Sequence, residues 1–329
     1  RIFCNFAGEK NTIPKRSMIN RALLRIKVVQ VLYAYYKNEH QTKRMAEKEL
    51  DKSIDQAHDL YLFLLSLIPA LTRYAELEID NRRNKYIPTD ADLNPNTRFA
   101  DNILAKQMAE SHVLADFAAR VSYSWTDDDT FLKTFFEYIV GTPHYQSYMT
   151  ADVRSYEADK ELWRKIFKVD IPACEILDNL LEEISVYWND DLETVASFVQ
   201  KTIKRCKVDA SVDDEILPLY RNDDDAEFVH RLFDAVIDNS EQYNKLIDET
   251  TKNWELDRIA FMDILVMKVA LAELLTFPTI PVSVTLNEYI EIAKAYSTPR
   301  SAPFINGVLD KIVGNLKKQG LLVKPDSLS

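Results

Sequence analysis

Hydrophobic residues recur three and four positions apart along most of this chain, and that spacing predicts amphipathic helices. The clearest stripe contains Phe304, Ile305, Val308, Leu309 and Ile312. No long stretch alternates between polar and hydrophobic residues, as a half-buried strand does. We therefore predict an all-α protein whose longer helices cover about residues 19–37, 42–83, 152–168, 172–188, 190–206, 226–250, 257–277, 282–297 and 301–318.

Prolines and polar clusters predict where these helices break. Pro69 is expected to kink or end the helix at 42–83, because proline lacks the amide donor that a helix needs. Residues 84–97 are predicted to be a loop, and residues 207–226 are acidic and irregular. The uncharged run 60–72 is too short to span a bilayer, so it predicts a buried core helix.

The charge of the chain limits its possible partners. Acidic residues outnumber basic ones, 52 against 41, and the net charge of −11 makes the protein as a whole repel RNA and anionic membranes. Residues 18–46 differ, because they contain six basic residues and the single acid Glu39. Any contact with nucleic acid is therefore expected at this local basic segment.

The sequence contains no recognisable pattern for catalysis or metal binding. Its five histidines are not paired at helical spacing, and its three cysteines are far apart and suit a reducing compartment. Neither a Gly-rich phosphate loop nor a GxSxG elbow is present. We interpret the chain as a non-enzymatic, cytoplasmic binding protein with no cofactor, no metal and no membrane association.

Five segments carry a resemblance to a known family. They read PVSVTLNEYIEIAKAY, SAPFINGVLDKI, WELDRIAFMDILVMKVALAEL, DDAEFVHRLFDAVIDN and NRALLRIKVVQVLYAYY. The first two resemble the patterns P-x-x-V-x-I-N-E-x-I-E-L-A-K and S-x-x-F-V-N-G-V-L-D-K of the NusB family of bacterial transcription antitermination factors. Gln30, Leu32 and Tyr33 fit the Gln-x-Leu-Tyr signature of its first helix. The resemblance covers about residues 18–38 and 222–318.

The resemblance implies a NusB-like helical bundle with an inserted set of additional helices. We predict a single domain over residues 18–329, in which residues 45–220 form a helical insertion between the first helix and the C-terminal bundle. Residues 1–17 are expected to be a disordered or non-native leader, with the native start near Met18.

The resemblance also implies a function in RNA binding. Members of the family bind boxA, a short single-stranded RNA element of ribosomal RNA leaders, together with the ribosomal protein NusE, and they act on the transcription elongation complex. The RNA-binding residues expected from this resemblance are Asn20, Arg21, Arg25, Lys27, Tyr33, Arg300, Phe304 and Asn306. The carboxylates expected to face a basic protein partner are Asp257, Asp263 and Glu273.

Several of these residues keep a second interpretation. Arg21 and Arg25 also fit an ordinary exposed helix face, and Tyr33 fits a core position as well as it fits base stacking. Asn306 fits a helix cap, a hydrogen bond to a neighbouring turn or an RNA contact. Gly307 is expected where another helix packs closely, because glycine inside a helix is otherwise unfavourable.

The chain departs from the family pattern where the basic surface is expected. Ala22, Leu23 and Leu24 stand where Arg or Ala is common, and Arg300 occupies a position that is often acidic.

The sequence leaves two alternative functions open. One is a helical protein-binding scaffold that has lost its RNA face. The other is a module of a ribosomal RNA cytosine methyltransferase, although the residues after 318 do not contain the catalytic domain of such an enzyme.

Overall fold

A computed structural model describes residues 21–38, 40–127, 129–220, 223–251, 259–322 and 324, with Asp129 described by its backbone only. Every regular element within these residues is helical, so the predicted all-α class is confirmed. The predicted leader at residues 1–17 lies outside the described residues.

The described part of the chain forms fifteen α-helices. The first eight are α1 Arg21–Lys37, α2 Lys43–Arg83, α3 Asp90–Leu93, α4 Ile103–Ala109, α5 His112–Arg120, α6 Asp129–Val140, α7 Pro143–Thr150 and α8 Tyr156–Lys165. The other seven are α9 Glu175–Ile184, α10 Leu192–Arg205, α11 Asp223–Asp238, α12 Ser240–Thr250, α13 Phe261–Thr276, α14 Val282–Tyr296 and α15 Ser301–Lys318. A π-helical turn, Ile166–Asp170, follows α8, and short 3₁₀ turns cover Trp125–Asp127, Asn189–Asp191 and Val212–Asp214.

Two helix breaks differ from the sequence-based prediction. The helix predicted over 226–250 is divided at Asn239, whose side-chain amide donates to the backbone carbonyl of Ala235 at 3.0 Å and so competes with helical bonding. In contrast, α2 does not end at Pro69. The neighbouring side chains of α2 are buried, and we attribute the continuation of the helix to this packing, which offsets the lost backbone hydrogen bond.

The chain divides into two compact units. The first comprises Arg1–Ile54 and Tyr220–Ser329, and the second comprises Asp55–Leu219. Helix α2 begins in the first unit and continues into the second. The second unit lies within residues 45–220, where the sequence predicts an insertion into a single domain.

Helix α13 is the centre of the first unit. It packs against α1, α11, α12, α14 and α15, and all side chains from Leu265 to Leu274 are buried. Such burial on every side is typical of a core helix. The buried stretch includes the charged residues Lys268 and Glu273, whose burial is unfavourable unless other side chains satisfy them.

The second unit has an aromatic core built around the apolar middle of α2. Phe63 of this helix stacks on Trp125 with ring centroids 3.9 Å apart, and Trp163 and Trp188 are fully buried. Among the described helices only α2 is long and apolar enough to cross a membrane by length and composition, but most of that stretch is buried inside the protein. Its hydrophobic residues therefore form a protein core, as the run 60–72 predicts.

Candidate nucleic-acid interface

Arg21 is partly exposed at the start of α1. Its Nε donates to Oδ1 of Asp225 at 3.1 Å, and its guanidinium carbon lies 4.8 Å from the centre of the Phe228 ring. The side chain is still 37% exposed. Arg21 therefore remains accessible to a phosphate, although α11 already supplies it with one carboxylate.

Arg25, one turn later, is buried and makes a bidentate ion pair with Glu273 of α13. Its Nε and Nη2 donate to the two carboxylate oxygens of Glu273 at 2.7 and 2.8 Å, and only 3% of the arginine is exposed. The hydroxyls of Thr285 and Tyr289, both on α14, also donate to Glu273, at 2.8 and 3.1 Å. The pair thus links α1, α13 and α14 inside the first unit.

The pKa values of this cluster follow from its burial. Burial alone would lower the pKa of Arg25, but the hydrogen bonds and negative charge of Glu273 outweigh it and raise the pKa above its ordinary value. Burial and then the charge of Glu273 raise the pKa of Tyr289 well above 10.0. Burial also lowers the pKa of Lys324 to about 8. The ammonium of this lysine donates to the backbone carbonyl of Glu273 at 3.2 Å. Arg25 therefore stays ionised over the physiological pH range.

Four residues predicted to lie at a binding surface are internal. An RNA contact is predicted for Arg25 and Lys27, and a protein contact for Asp263 and Glu273, but all four are buried. Asp263 accepts hydrogen bonds from the hydroxyls of Ser297 and, at 2.9 Å, Ser301, so it holds the turn that begins α15. These predictions do not agree with the structure, which gives Arg25, Asp263 and Glu273 structural partners instead.

The basic segment 18–46 is also less positive in the fold than in the sequence. Besides Arg21 and Arg25, Lys43 is paired, with its ammonium 2.8 Å from Asp234 and 3.0 Å from Asp238. Carboxylates of α11 and α13 thus neutralise much of the local excess of positive charge. An RNA surface in the first unit must therefore combine fewer cations with other groups.

Such a combination exists at the end of α1, where Tyr33, Lys37 and Phe261 form a cluster that we call the aromatic–cation cluster. The rings of Tyr33 and Phe261 pack edge to face with centroids 5.6 Å apart, and the ammonium of Lys37 lies 4.3 Å from the centre of the Phe261 ring. Tyr33 is 39% exposed. An exposed ring held beside an ammonium is suited to stack an unpaired base near its phosphate.

A second exposed group lies where α14 turns into α15. Arg300 is exposed in the turn directly before α15, and Phe304 is half-buried one turn into that helix. Asn306 is half-buried and donates to Oδ2 of Asp310, one turn later in α15, at 3.3 Å. Gln30 of α1 donates to the hydroxyl of Tyr296 at the end of α14, so the middle of α1 lies beside this turn.

The rest of the comparison with the sequence concerns two residues that were predicted to form the site and one that was not. Asn20 and Asp257 lie outside the described residues. Phe261 did not stand out in the sequence, because a single aromatic residue at the start of a buried helix resembles any core position. The spacing of Tyr33 and Lys37, four apart on one helix face, is the signal that could have indicated the cluster.

Gly307 is not explained by helix packing, although the sequence predicts a close contact there. The residue is exposed, and a Cβ atom at its position would meet no heavy atom within 4 Å. Gly307→Ala is therefore expected to raise the free energy of unfolding by about 1 kcal/mol, through improved helix propensity alone. Urea denaturation followed by circular dichroism would measure this, and a destabilised variant would show that the space is not open.

Comparisons with known proteins match one part of the chain to a single family. The sequence profile of the NusB family matches residues 197–314. The chain is 41% identical over 108 residues to the transcription antitermination protein NusB of Salinibacter ruber, covering 33% of this chain and 68% of that protein. The chain belongs to the NusB family. The predicted family is thus confirmed, and the matched stretch includes α11 to α14 and most of α15 but not α1.

Other NusB proteins show a similar partial match. The chain is 40% identical over 98 residues to NusB of Chloroherpeton thalassium, covering 30% of this chain and 46% of that protein. It is 38% identical over 88 residues to NusB of Dictyoglomus thermophilum, covering 27% of this chain and 61% of that protein. The chain thus spans between about half and about two thirds of these relatives' length. No solved structure matches it.

Proposed function

We propose that this protein is a cytoplasmic transcription antitermination factor that binds a single-stranded, boxA-like RNA of ribosomal RNA leaders. It acts by binding alone, with the ribosomal protein NusE as its protein partner on the elongation complex. The observation that carries this proposal is the 41% identity to a transcription antitermination protein over 68% of that protein's length.

The exposed groups of the first unit support an RNA contact. Tyr33 with its neighbours Lys37 and Phe261 offers a ring for an unpaired base, and Arg21 and Arg300 offer guanidinium groups for phosphates. The half-buried Phe304 and Asn306, and Asn20 outside the described residues, complete the set of proposed RNA contacts. Asp257 remains the carboxylate proposed for the protein partner.

Binding to a labelled boxA-like RNA and to a scrambled RNA tests this function. Tyr33→Ala is expected to weaken boxA binding at least about fivefold, because stacking of one base on an aromatic ring is worth about 1–3 kcal/mol. Arg300→Gln is expected to reduce the dependence of log affinity on log salt by about 0.7, the value for one phosphate of a single strand. Fluorescence anisotropy measures both quantities.

The chain provides a matched control in Tyr86, a tyrosine of the second unit that is 99% exposed. Tyr86→Ala should leave boxA affinity unchanged. Equal affinity of the unaltered protein for boxA and scrambled RNA, or equal effects of the two tyrosine substitutions, would contradict the proposal.

The burial of Arg25 and Lys27 and the pairing of Lys43 favour one alternative function, a helical protein-binding scaffold without an RNA face. The two functions predict different amounts of nucleic acid in the purified protein. An RNA-binding factor retains nucleic acid at low salt, which raises the ratio of absorbance at 260 nm to that at 280 nm, whereas a protein scaffold does not.

A further inference from the structure

A pocket of the second unit collects positive charge that the function proposed above does not use. It lies beside the π-helical turn Ile166–Asp170 and has a volume of about 510 Å³. Its lining includes the basic side chains Arg164, Lys165 and Lys168, the imidazole of His144, the amide of Gln200 and one acid, Glu161. In a chain with a net charge of −11, such a concentration of basic groups in one concavity indicates an anionic ligand.

The charges of this pocket are only partly neutralised. Glu161 accepts from Nη1 of Arg164 at 2.7 Å. Lys165 and Lys168 are exposed, and neither has a carboxylate within ion-pair distance among the residues that the structure describes. Two ammonium groups and part of a guanidinium therefore remain available to a ligand in the pocket.

These basic side chains share one side because Lys168 follows Arg164 by four residues and Lys165 by three, a spacing that makes side chains neighbours on a helix surface. The amide of Ile171 donates to the carbonyl of Ile166, five residues earlier, at 3.0 Å. This wider turn continues α8, and Arg164, Lys165 and Lys168 all line the pocket. π-Helical turns are rare and occur frequently at functional sites.

Two other side chains of the pocket, those of His144 and Gln200, are held by hydrogen bonds. Nε2 of His144 lies 2.7 Å from Oδ2 of Asp170, a carboxylate that is almost completely buried. Gln200 of α10 donates to the carbonyl of Phe167 within the π-helical turn at 3.5 Å. A ligand would thus meet side chains that are already held in place, which lowers the entropic cost of binding.

We propose that this pocket binds phosphodiester groups of single-stranded RNA, as an RNA contact separate from the NusB-like unit. Ammonium and guanidinium groups suit the phosphate backbone, and the described lining contains no Phe, Tyr or Trp ring to stack a base. The contact is therefore independent of base sequence. The choice of RNA as the source of the phosphates rests on the function proposed above.

Binding of the full-length protein to a fluorescein-labelled oligouridine between about 50 and 200 mM salt tests this proposal. The double variant Lys165→Gln with Lys168→Gln is expected to bind more weakly and to lower the slope of log affinity against log salt by about 1.4, because each single-stranded phosphate contact contributes about 0.7. The matched control is Lys133→Gln with Lys207→Gln, which removes two exposed lysines of the same unit that do not line the pocket. This control is expected to keep the slope of the unaltered protein.

Equal slopes for the two double variants would overturn the proposal. A second titration with inorganic phosphate at constant ionic strength identifies the source of the anion. Loss of inorganic phosphate binding in the pocket variant, without any change in oligouridine binding, would also overturn the assignment to RNA. The pocket contact is independent of base sequence, so discrimination between boxA and scrambled RNA tests only the proposed antitermination function, and failure of that function gives a different result from failure of the pocket.

Discussion

Replacement of Glu273 by glutamine is expected to lower the free energy of unfolding by about 3–5 kcal/mol, because the buried charge of Arg25 then keeps only the partly exposed carboxylate of Glu288, 3.5 Å from its Nη1, as a counter-charge. The glutamine side chain has nearly the same shape, so the change removes charge without creating a cavity. Arg25 is 3% exposed and cannot recover solvation by a small movement. Urea denaturation followed by circular dichroism measures the expected loss.

The exposed pair Arg73–Glu76 provides the control for this substitution. Its atoms are 2.8 Å apart, similar to the buried pair, but both side chains are open to solvent. Glu76→Gln is therefore expected to cost less than about 1 kcal/mol. Similar costs for Glu76→Gln and Glu273→Gln would show that the buried pair has no special role.

A double variant distinguishes the effect of removing the whole ion pair from the effect of removing only one of its charges. Arg25→Met combined with Glu273→Leu removes both charges, and apolar residues often replace a buried ion pair at little cost. This variant is expected to be more stable than Glu273→Gln alone. Any loss of RNA binding on substitution of Arg25 must be compared with the stability of the variant, since this residue holds the fold together.

The sequence predicted the helices well and the site poorly, for one physical reason. Helix formation follows from local spacing of hydrophobic residues, and α15 has the bounds predicted for it. The role of an arginine depends on partners that are distant in the chain. Glu273 is 248 residues from Arg25, and Asp225 is 204 residues from Arg21, so local spacing could not indicate either ion pair.

Tyr33 shows that local sequence does not determine the exposure of a side chain either. Its sequence neighbours suggested a core position as readily as a surface position, and the structure shows a partly exposed ring packed against Phe261. The exposure of a side chain at the edge of a helix face depends on which helices cover it. That information lies in the tertiary arrangement of α1 and α13, not in the spacing along α1.

A second large effect on stability is expected for substitution of Trp188, which lies in the core of the second unit. Its ring centroid lies 5.3 Å from those of Phe63 and Tyr123, and its Nε1 donates to the carbonyl of Gln56 at 2.9 Å. Trp188→Ala removes a fully buried side chain and is expected to cost about 3–5 kcal/mol of stability in this unit. Val186→Ala, two residues away at an exposed position, is the control and should change stability by less than about 0.5 kcal/mol.

Hydrogen exchange measured by mass spectrometry locates the effect of Trp188→Ala along the chain. Because each unit has its own core, exchange should accelerate within residues 55–219, while α13 and α14 keep their protection. Discrimination between boxA-like and scrambled RNA, which we assign to the first unit, should then survive the substitution. Equal loss of protection in α13 would show that the two units unfold together, and the NusB-like helices would then depend on the second unit for their stability.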